Sequence, residues 1–204
     1  GGSGTDTLVL NNAVDDATIT LADPNGAQDR ITGVDQINII DVTSGADVTL
    51  VTNDYTNLSA GLPAPVGIDA SSLDSGEVFT LTGTASVTAM NVTSGAGDDG
   101  LTGGTKSDTI DGGAGNDTLA GTNGNNVLIG GAGNDSITIG DGADNVSGGA
   151  GNDTIVAGTD LKLTDTIDGG DGVDTLTIGG DISSYTQFGG VSNIEVIAPA
   201  GAHD

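Results

Sequence analysis

Asp99, Asp108, Asp117, Asn126, Asp135, Asp144, Asp153, Asp165 and Asp174 fall at the same place in one recurring phrase. The phrase is Gly-Gly-x-Gly-x-Asp-x-aliphatic-x, and these residues are its sixth position. Eight of the nine carry a carboxylate and the ninth an amide of the same shape. Carboxylates held close together repel one another unless a cation lies between them. A cage of carboxylate and backbone carbonyl oxygens suits Ca²⁺, in ligand number and flexibility, better than Mg²⁺. The chemistry these residues offer is calcium binding.

The elements that must position them are legible in the rest of the phrase. It is complete in GGAGNDTLA (112–120), GGAGNDSIT (130–138), GGAGNDTIV (148–156) and GGDGVDTLT (169–177). Degenerate copies stay in frame at 94–102, 103–111, 121–129 and 139–147, and one break, AGTDLKLTDTID (157–168), adds three residues. The eighth position is Leu101, Ile110, Leu119, Leu128, Ile137, Val146, Ile155, Ile167 and Leu176, always aliphatic. A three-residue strand would turn that side chain inward, because strand side chains alternate faces. The glycines allow the positive φ angles of a tight turn. Two turns and two short strands make an eighteen-residue coil, and coils stack to bury the aliphatic column. A flexible linker would have no reason to place an aliphatic residue at every ninth step.

Stacking makes neighbours of repeats two apart. Asp99, Asp117, Asp135, Asp153 and Asp174 should line one edge, and Asp108, Asn126, Asp144 and Asp165 the other. That gives four intervals on the first edge and three on the second, hence up to seven calcium sites. Those touching Asn126 should be weaker, and the insertion at 157–168 falls within the Asp144/Asp165 interval. The turn carbonyls, expected to lack regular pairing, would supply the remaining oxygens.

These residues resemble the RTX family, whose glycine- and aspartate-rich nonapeptides fold as a calcium-loaded parallel β-roll. The resemblance spans about 84 of the 204 residues. It implies that carbonyls of the first and third positions of one turn, with those of the second and fourth on the next coil, complete each site. Those are Gly112 and Ala114 with Gly131 and Gly133, then Gly130 and Ala132 with Gly149 and Gly151, and Gly148 and Ala150 begin the next set. The opening GGSGTDTLV (1–9) matches the phrase as well and places Asp6 at the ligand position.

Composition supports this reading and excludes others. Of 29 acids only Glu77 and Glu195 are glutamate, against Arg30, Lys106 and Lys162, for a net charge of −26. Nucleic acid needs a basic footprint, so it is excluded as a partner, and anionic membrane surfaces with it. Self-repulsion on this scale opposes compaction. Seven Ca²⁺ would take −26 to about −12, so folding should depend on calcium. With four aromatics and no Cys or Trp, a core of bulky side chains cannot be built, and disulfides and thiolate metal sites are ruled out. No signal peptide or membrane span is apparent, and a chain opening on Gly1 is expected to be a piece of something longer.

Catalysis is not expected. His203 is the one histidine, at the extreme end, so neither a Ser-His-Asp nor a Cys-His arrangement can be assembled. The aspartates already have a place fixed by the repeat. GAGDDG (95–100) has the spacing of a dinucleotide loop, but Asp98 and Asp99 would repel a pyrophosphate. Asn116, Asn134 and Asn152 sit in Asn-x-Ser/Thr triplets that the repeat itself explains.

The whole chain reads as all-β, a right-handed parallel β-roll or β-helix with almost no helix, divided into 1–93, the calcium roll at 94–178, and a closing segment at 179–204. Upstream strands are expected at ATITL (17–21), QINII (36–40), DVTLVT (47–52), EVFTLT (77–82) and ASVTAM (85–90). A second layer of repetition joins GGSGTDTLVL and ITGVDQINII to GGDGVDTLTI and FGGVSNIEVI, and VTSGA recurs at 42–46 and 92–96. That order, with GIDASSL (67–73), is similar to bacterial S-layer proteins of the RTX type. The resemblance implies a self-associating surface lattice ordered by calcium, secretion by the type I route, and a surface glycan as anchor. Two alternatives are a calcium-folding module of a secreted RTX enzyme or toxin, and a stalk segment of an RTX adhesin.

Overall fold

A computed structural model describes residues 7–12, 17–20, 36–41, 48–51, 65–84, 88–179 and 188–199. Asp6 lies outside them, as does His203. The chain winds as a parallel β-solenoid whose coils alternate between two sheets, each of nine strands among the described residues. One sheet stacks β1 (Thr7–Asn12), β3 (Gln36–Asp41), β5 (Val66–Asp69), β7 (Met90–Thr93), β9 (Thr109–Ala114), β11 (Val127–Ala132), β13 (Asn145–Ala150), β15 (Thr166–Asp171) and β17 (Val191–Ser192). The other stacks β2 (Ala17–Thr20), β4 (Val48–Val51), β6 (Phe79–Thr82), β8 (Gly100–Thr102), β10 (Thr118–Ala120), β12 (Ser136–Thr138), β14 (Thr154–Gly158), β16 (Thr175–Ile178) and β18 (Val196–Pro199). The one helical element among the described residues is a 3₁₀ turn at Phe188–Gly190.

Register records the coil length directly. In the roll Thr118 pairs with Ser136 and Val127 with Asn145, eighteen residues on. Across the insertion Asn145 pairs with Thr166 and Thr154 with Thr175, twenty-one residues on. Upstream, Val48 pairs with Phe79, a step of thirty-one. The inward aliphatic column is complete: Leu101, Ile110, Leu119, Leu128, Ile137, Val146, Ile155, Ile167 and Leu176 are all buried in one continuous core. Each such side chain contributes roughly 1.5–3 kcal/mol by leaving water.

Strands at 17–20, 36–41, 48–51 and 79–82 lie where the alternating Thr/Val/Ile runs place them. Two expectations are corrected. Within ASVTAM, residues 85–87 fall outside the described set, and the strand begins only at Met90 and runs to Thr93. Its inward residues are Met90 and Val92, so the apolar alternation continues through NVT instead of ending at Met90. The two strands of a roll coil are also unequal. Those of the β8–β12 type span three residues, whereas β9, β11, β13 and β15 span six. The longer ones carry pairing into the following glycines, with Gly131 opposite Gly113 and Gly149, because a backbone without Cβ lets adjacent coils approach.

Candidate metal centre

Each sixth-position residue stands immediately before the strand that carries its aliphatic partner, two residues away and so on the same inward face. Asp99, Asp108, Asp117, Asn126, Asp135, Asp144, Asp153, Asp165 and Asp174 are all buried. One oxygen of each has a fixed task. Oδ1 of Asp117 accepts the backbone N–H of Asp99, Oδ1 of Asp135 that of Asp117, Oδ1 of Asp153 that of Asp135, and Oδ1 of Asp174 that of Asp153, each at 2.8 Å. The second edge repeats this from Asp108 to Asn126 to Asp144 to Asp165, at 2.8–3.0 Å. Both ladders are therefore assembled as the sequence places them, and Asp165 regains its slot despite the insertion.

The second oxygens divide the ladder. Oδ2 of Asp117, Asp135, Asp144, Asp153 and Asp174 is buried without a hydrogen-bond partner. In the other three the chain fills the position itself: the Ser94 hydroxyl donates to Asp99, the Gly104 N–H to Asp108 at 2.7 Å, and the Lys162 N–H to Asp165 at 2.6 Å. The Lys162 ammonium also pairs with Asp141 at 3.3 Å, supplying positive charge to the second edge. Four of the five orphaned oxygens lie on the first edge, where the complete Gly-Gly-x-Gly-x-Asp turns are.

What faces those oxygens is backbone. A Cβ built on Gly112 would lie 2.5 Å from Oδ2 of Asp117 and 2.6 Å from the carbonyl oxygen of Gly130 on the next coil. Gly130 and Gly148 repeat the arrangement toward Asp135 and Asp153. This first glycine leaves a cradle that any side chain would fill. Second- and fourth-position glycines have positive φ, 115° at Gly131 and 133° at Gly133, which turns their carbonyls toward the following coil. Carbonyls of the first and third positions point the other way: Ala132 and Ala150 accept the N–H of Gly115 and Gly133 in the preceding coil, at 2.8 Å.

Two expectations are thereby corrected. Third-position carbonyls are not left unpaired, although a carbonyl oxygen keeps a second lone pair. The carbonyls that meet between coils are Gly113 and Gly115 with Gly130 and Ala132, then Gly131 and Gly133 with Gly148 and Ala150. Gly130 and Ala132 face away from Gly149 and Gly151, and the same turn geometry sets Gly112 and Ala114 away from Gly131 and Gly133. The positive φ angles set this sense.

Among the described residues no three acidic, His or Cys side chains converge to hold a metal on their own. An oxygen cage here consists of two carboxylates per interval completed by carbonyls. The donor set is all oxygen, includes buried orphaned carboxylate oxygens and encloses a cradle free of Cβ, so it fits Ca²⁺. Electrostatics agree. Burial pushes Asp117 up from 3.8 to about 7, with Asp135, Asp99 and Asp98 adding repulsion. Burial likewise pushes Asp135 up to about 6, with Asp153 and Asp98 adding to it. Asp99, Asp108, Asp144 and Asp153 are also raised, chiefly by burial. Proton and cation compete for the same oxygens.

The ladder includes residues the repeat did not announce. Phe79 and Met90 stand in the sixth-position column below Asp99 and Asp108, and their N–H groups donate to those aspartates at 2.7 and 2.8 Å. At the other end Oε2 of Glu195 accepts the N–H of Asp174 at 2.9 Å. The signal for Glu195 was its spacing: it lies twenty-one residues after Asp174, as Asp174 does after Asp153. Asn116, Asn134 and Asn152 form a separate, exposed ladder, each Oδ1 accepting the N–H of the residue one coil on at 2.7–2.8 Å.

A family model described as the RTX calcium-binding nonapeptide repeat (4 copies) matches residues 93–128 and 120–155. No curated protein and no solved structure matches the chain. Joined to the orphaned carboxylates and Cβ-free cradles, that match identifies the centre of this solenoid as an RTX calcium-binding β-roll.

Proposed function

We propose that this chain is a non-catalytic structural segment of a secreted bacterial surface (S-layer) protein. Calcium folds it outside the cell, and one sheet face joins it to further copies. The buried, partnerless Oδ2 atoms of Asp117, Asp135, Asp153 and Asp174 carry the calcium part of this reading. A divalent cation stabilises them, and Ca²⁺ is the one abundant outside a cell that an all-oxygen cage of this kind fits. Extracellular modules commonly bind Ca²⁺ at roughly 10⁻⁴–10⁻³ M. Binding then stabilises the fold by mass action only where the ion is present, leaving the chain unfolded and export-competent inside.

The distribution of charge supports self-association. The outward positions of β6, β8, β10, β12, β14 and β16 are Thr80, Thr82, Gly100, Thr102, Thr118, Ala120, Ser136, Thr138, Thr154, Val156, Gly158, Thr175 and Thr177. None is charged in a chain of net charge −26. The opposite face carries Asp69, Asp111 and Asp168. Two such acidic molecules meet with least repulsion across the uncharged face, where hydroxyl and methyl groups alternate.

Sedimentation velocity, from chelator to millimolar Ca²⁺ with Mg²⁺ as control, tests both parts. Calcium alone should convert an expanded monomer into a compact species and then into large assemblies, and Thr138→Lys should stop the second step. Compaction that ends at a monomer would remove the lattice reading and favour a folding module or stalk. No change with calcium in sedimentation or direct ion binding would remove both.

A further inference from the structure

We propose that Asp174 and Glu195 hold one further Ca²⁺, closing the first-edge ladder at a position where the nonapeptide phrase has already ended. The proposal rests on the calcium reading above and adds a site to it. Asp174 is wholly buried and its Oδ2 has no partner. Its N–H is held by Oε2 of Glu195, so the two carboxylates are linked as any two rungs below them are. Thr175 pairs with Val196 just beyond, which fixes Glu195 in the sixth-position column.

The cradle is also repeated. A Cβ on Gly169 would lie 2.7 Å from Oδ2 of Asp174 and would overlap the carbonyl oxygen of Asn193. Asn193 thus takes the part that Gly130 plays above Gly112. Gly170 and Gly172 keep the positive φ, 101° and 142°, of the second and fourth glycines below. The upper turn is cut short. Between the columns of Gly169 and Asp174 the lower coil has four residues, whereas Ile194 alone separates Asn193 from Glu195. Asn193 makes that turn with φ of 51°. The shortened turn has no third-position carbonyl to offer, and glutamate is one methylene longer than the aspartates of the first-edge rungs below it. One of its oxygens is spent on the Asp174 N–H, which leaves the other for the ion. No lysine, arginine or histidine pairs with either carboxylate among the described residues.

Native mass spectrometry of the calcium-loaded chain counts ions directly. Glu195→Gln keeps an oxygen for the Asp174 N–H and removes the charge, so it should carry one Ca²⁺ fewer than the parent chain with the β signal unchanged. An equal count in a folded Glu195→Gln chain overturns the proposal. A parent chain that binds no calcium is a different result, the failure of the roll reading itself. Should Glu195→Gln not fold, the decision passes to the parent chain labelled with [δ-¹³C]glutamate, which has only Glu77 and Glu195 to resolve. Replacing bound Ca²⁺ by La³⁺ should shift the Glu195 carboxylate signal and leave that of Glu77 in place. A Glu195 signal that stays put overturns the site.

Discussion

The backbone N–H of Asp117 donates to Oδ1 of Asp135, one coil away, at 2.8 Å, while Oδ2 of Asp135 meets no donor. One side chain thus does two separable jobs: it splices neighbouring coils through hydrogen bonding and presents charge to a cation. Asp135→Asn should keep the splice and lose the charge. Affinity in the two intervals that share Asp135 should fall at least tenfold with the fold retained at saturating calcium. Asp135→Ala should in addition strand the Asp117 N–H, costing about 1–3 kcal/mol more. Calorimetric titration and calcium-saturated melting separate the two effects, and equal behaviour of the variants would refute the division.

Acidity should oppose calcium and favour the metal-free fold. The ordinary aspartate value is 3.8, whereas burial holds Asp117 at about 7 and Asp135 at about 6 in the fold without metal. Between these limits the folded chain keeps protons that the unfolded chain has released. Its metal-free stability is therefore greatest below about pH 4 and declines as pH rises toward 7. Without calcium, circular dichroism should show more β structure at pH 5 than at pH 8. Calcium affinity should rise over the same interval with proton release, measurable in two buffers of different ionisation enthalpy.

Asn126 is the one amide in the ladder, and its Nδ2 donates to the Gly124 carbonyl at 3.2 Å. Asn126→Asp would keep Oδ1 for the Asp108 N–H and set a carboxylate oxygen against that carbonyl. A cation should relieve the repulsion, so the variant should bind one more Ca²⁺ than the parent and be less stable in chelator. An unchanged ion count would argue that the second edge is sealed by the chain's own donors.

Gly131 has φ of 115°, and a Cβ there would overlap the Gly113 carbonyl oxygen. Gly131→Ala should abolish the cooperative calcium-induced transition, since relief requires the coils to part. Ile137→Ala, by contrast, should lower stability by about 2–5 kcal/mol and leave the transition cooperative. Calcium-titrated circular dichroism distinguishes loss of assembly from loss of packing.

Much of this architecture was legible because the repeat writes two columns at once. Asp at the sixth position and an aliphatic at the eighth define both what is buried and what is charged, so the edges, the ladders and the strand faces followed from spacing. Carbonyl direction was not legible, because it depends on the sign of φ at Gly131 and Gly133 and leaves no mark on residue type. Nor was the sealing of Asp99, Asp108 and Asp165, whose donors Ser94, Gly104 and Lys162 become neighbours only when the turn closes. Glu195 and Phe79 were hidden because neither lies in a Gly-Gly-x-Gly turn. Their place is set by strand register, with Thr175 opposite Val196 and Thr80 opposite Gly100.

Phe79 and Met90, in the column that becomes aspartate one coil later, draw a line across the solenoid. Below it the coil holding Ile68, Phe79, Leu81, Met90 and Val92 fills the same column with apolar groups. Above it the rungs at Asp117, Asp135, Asp144, Asp153 and Asp174 keep an oxygen that no donor of the chain meets and that a cation finishes. The calcium rungs thus grow on a template that offers the N–H groups of Phe79 and Met90. Ambient calcium then decides whether the ordered stack continues past that coil, from Asp117 onward, the first rung whose second oxygen the chain leaves open.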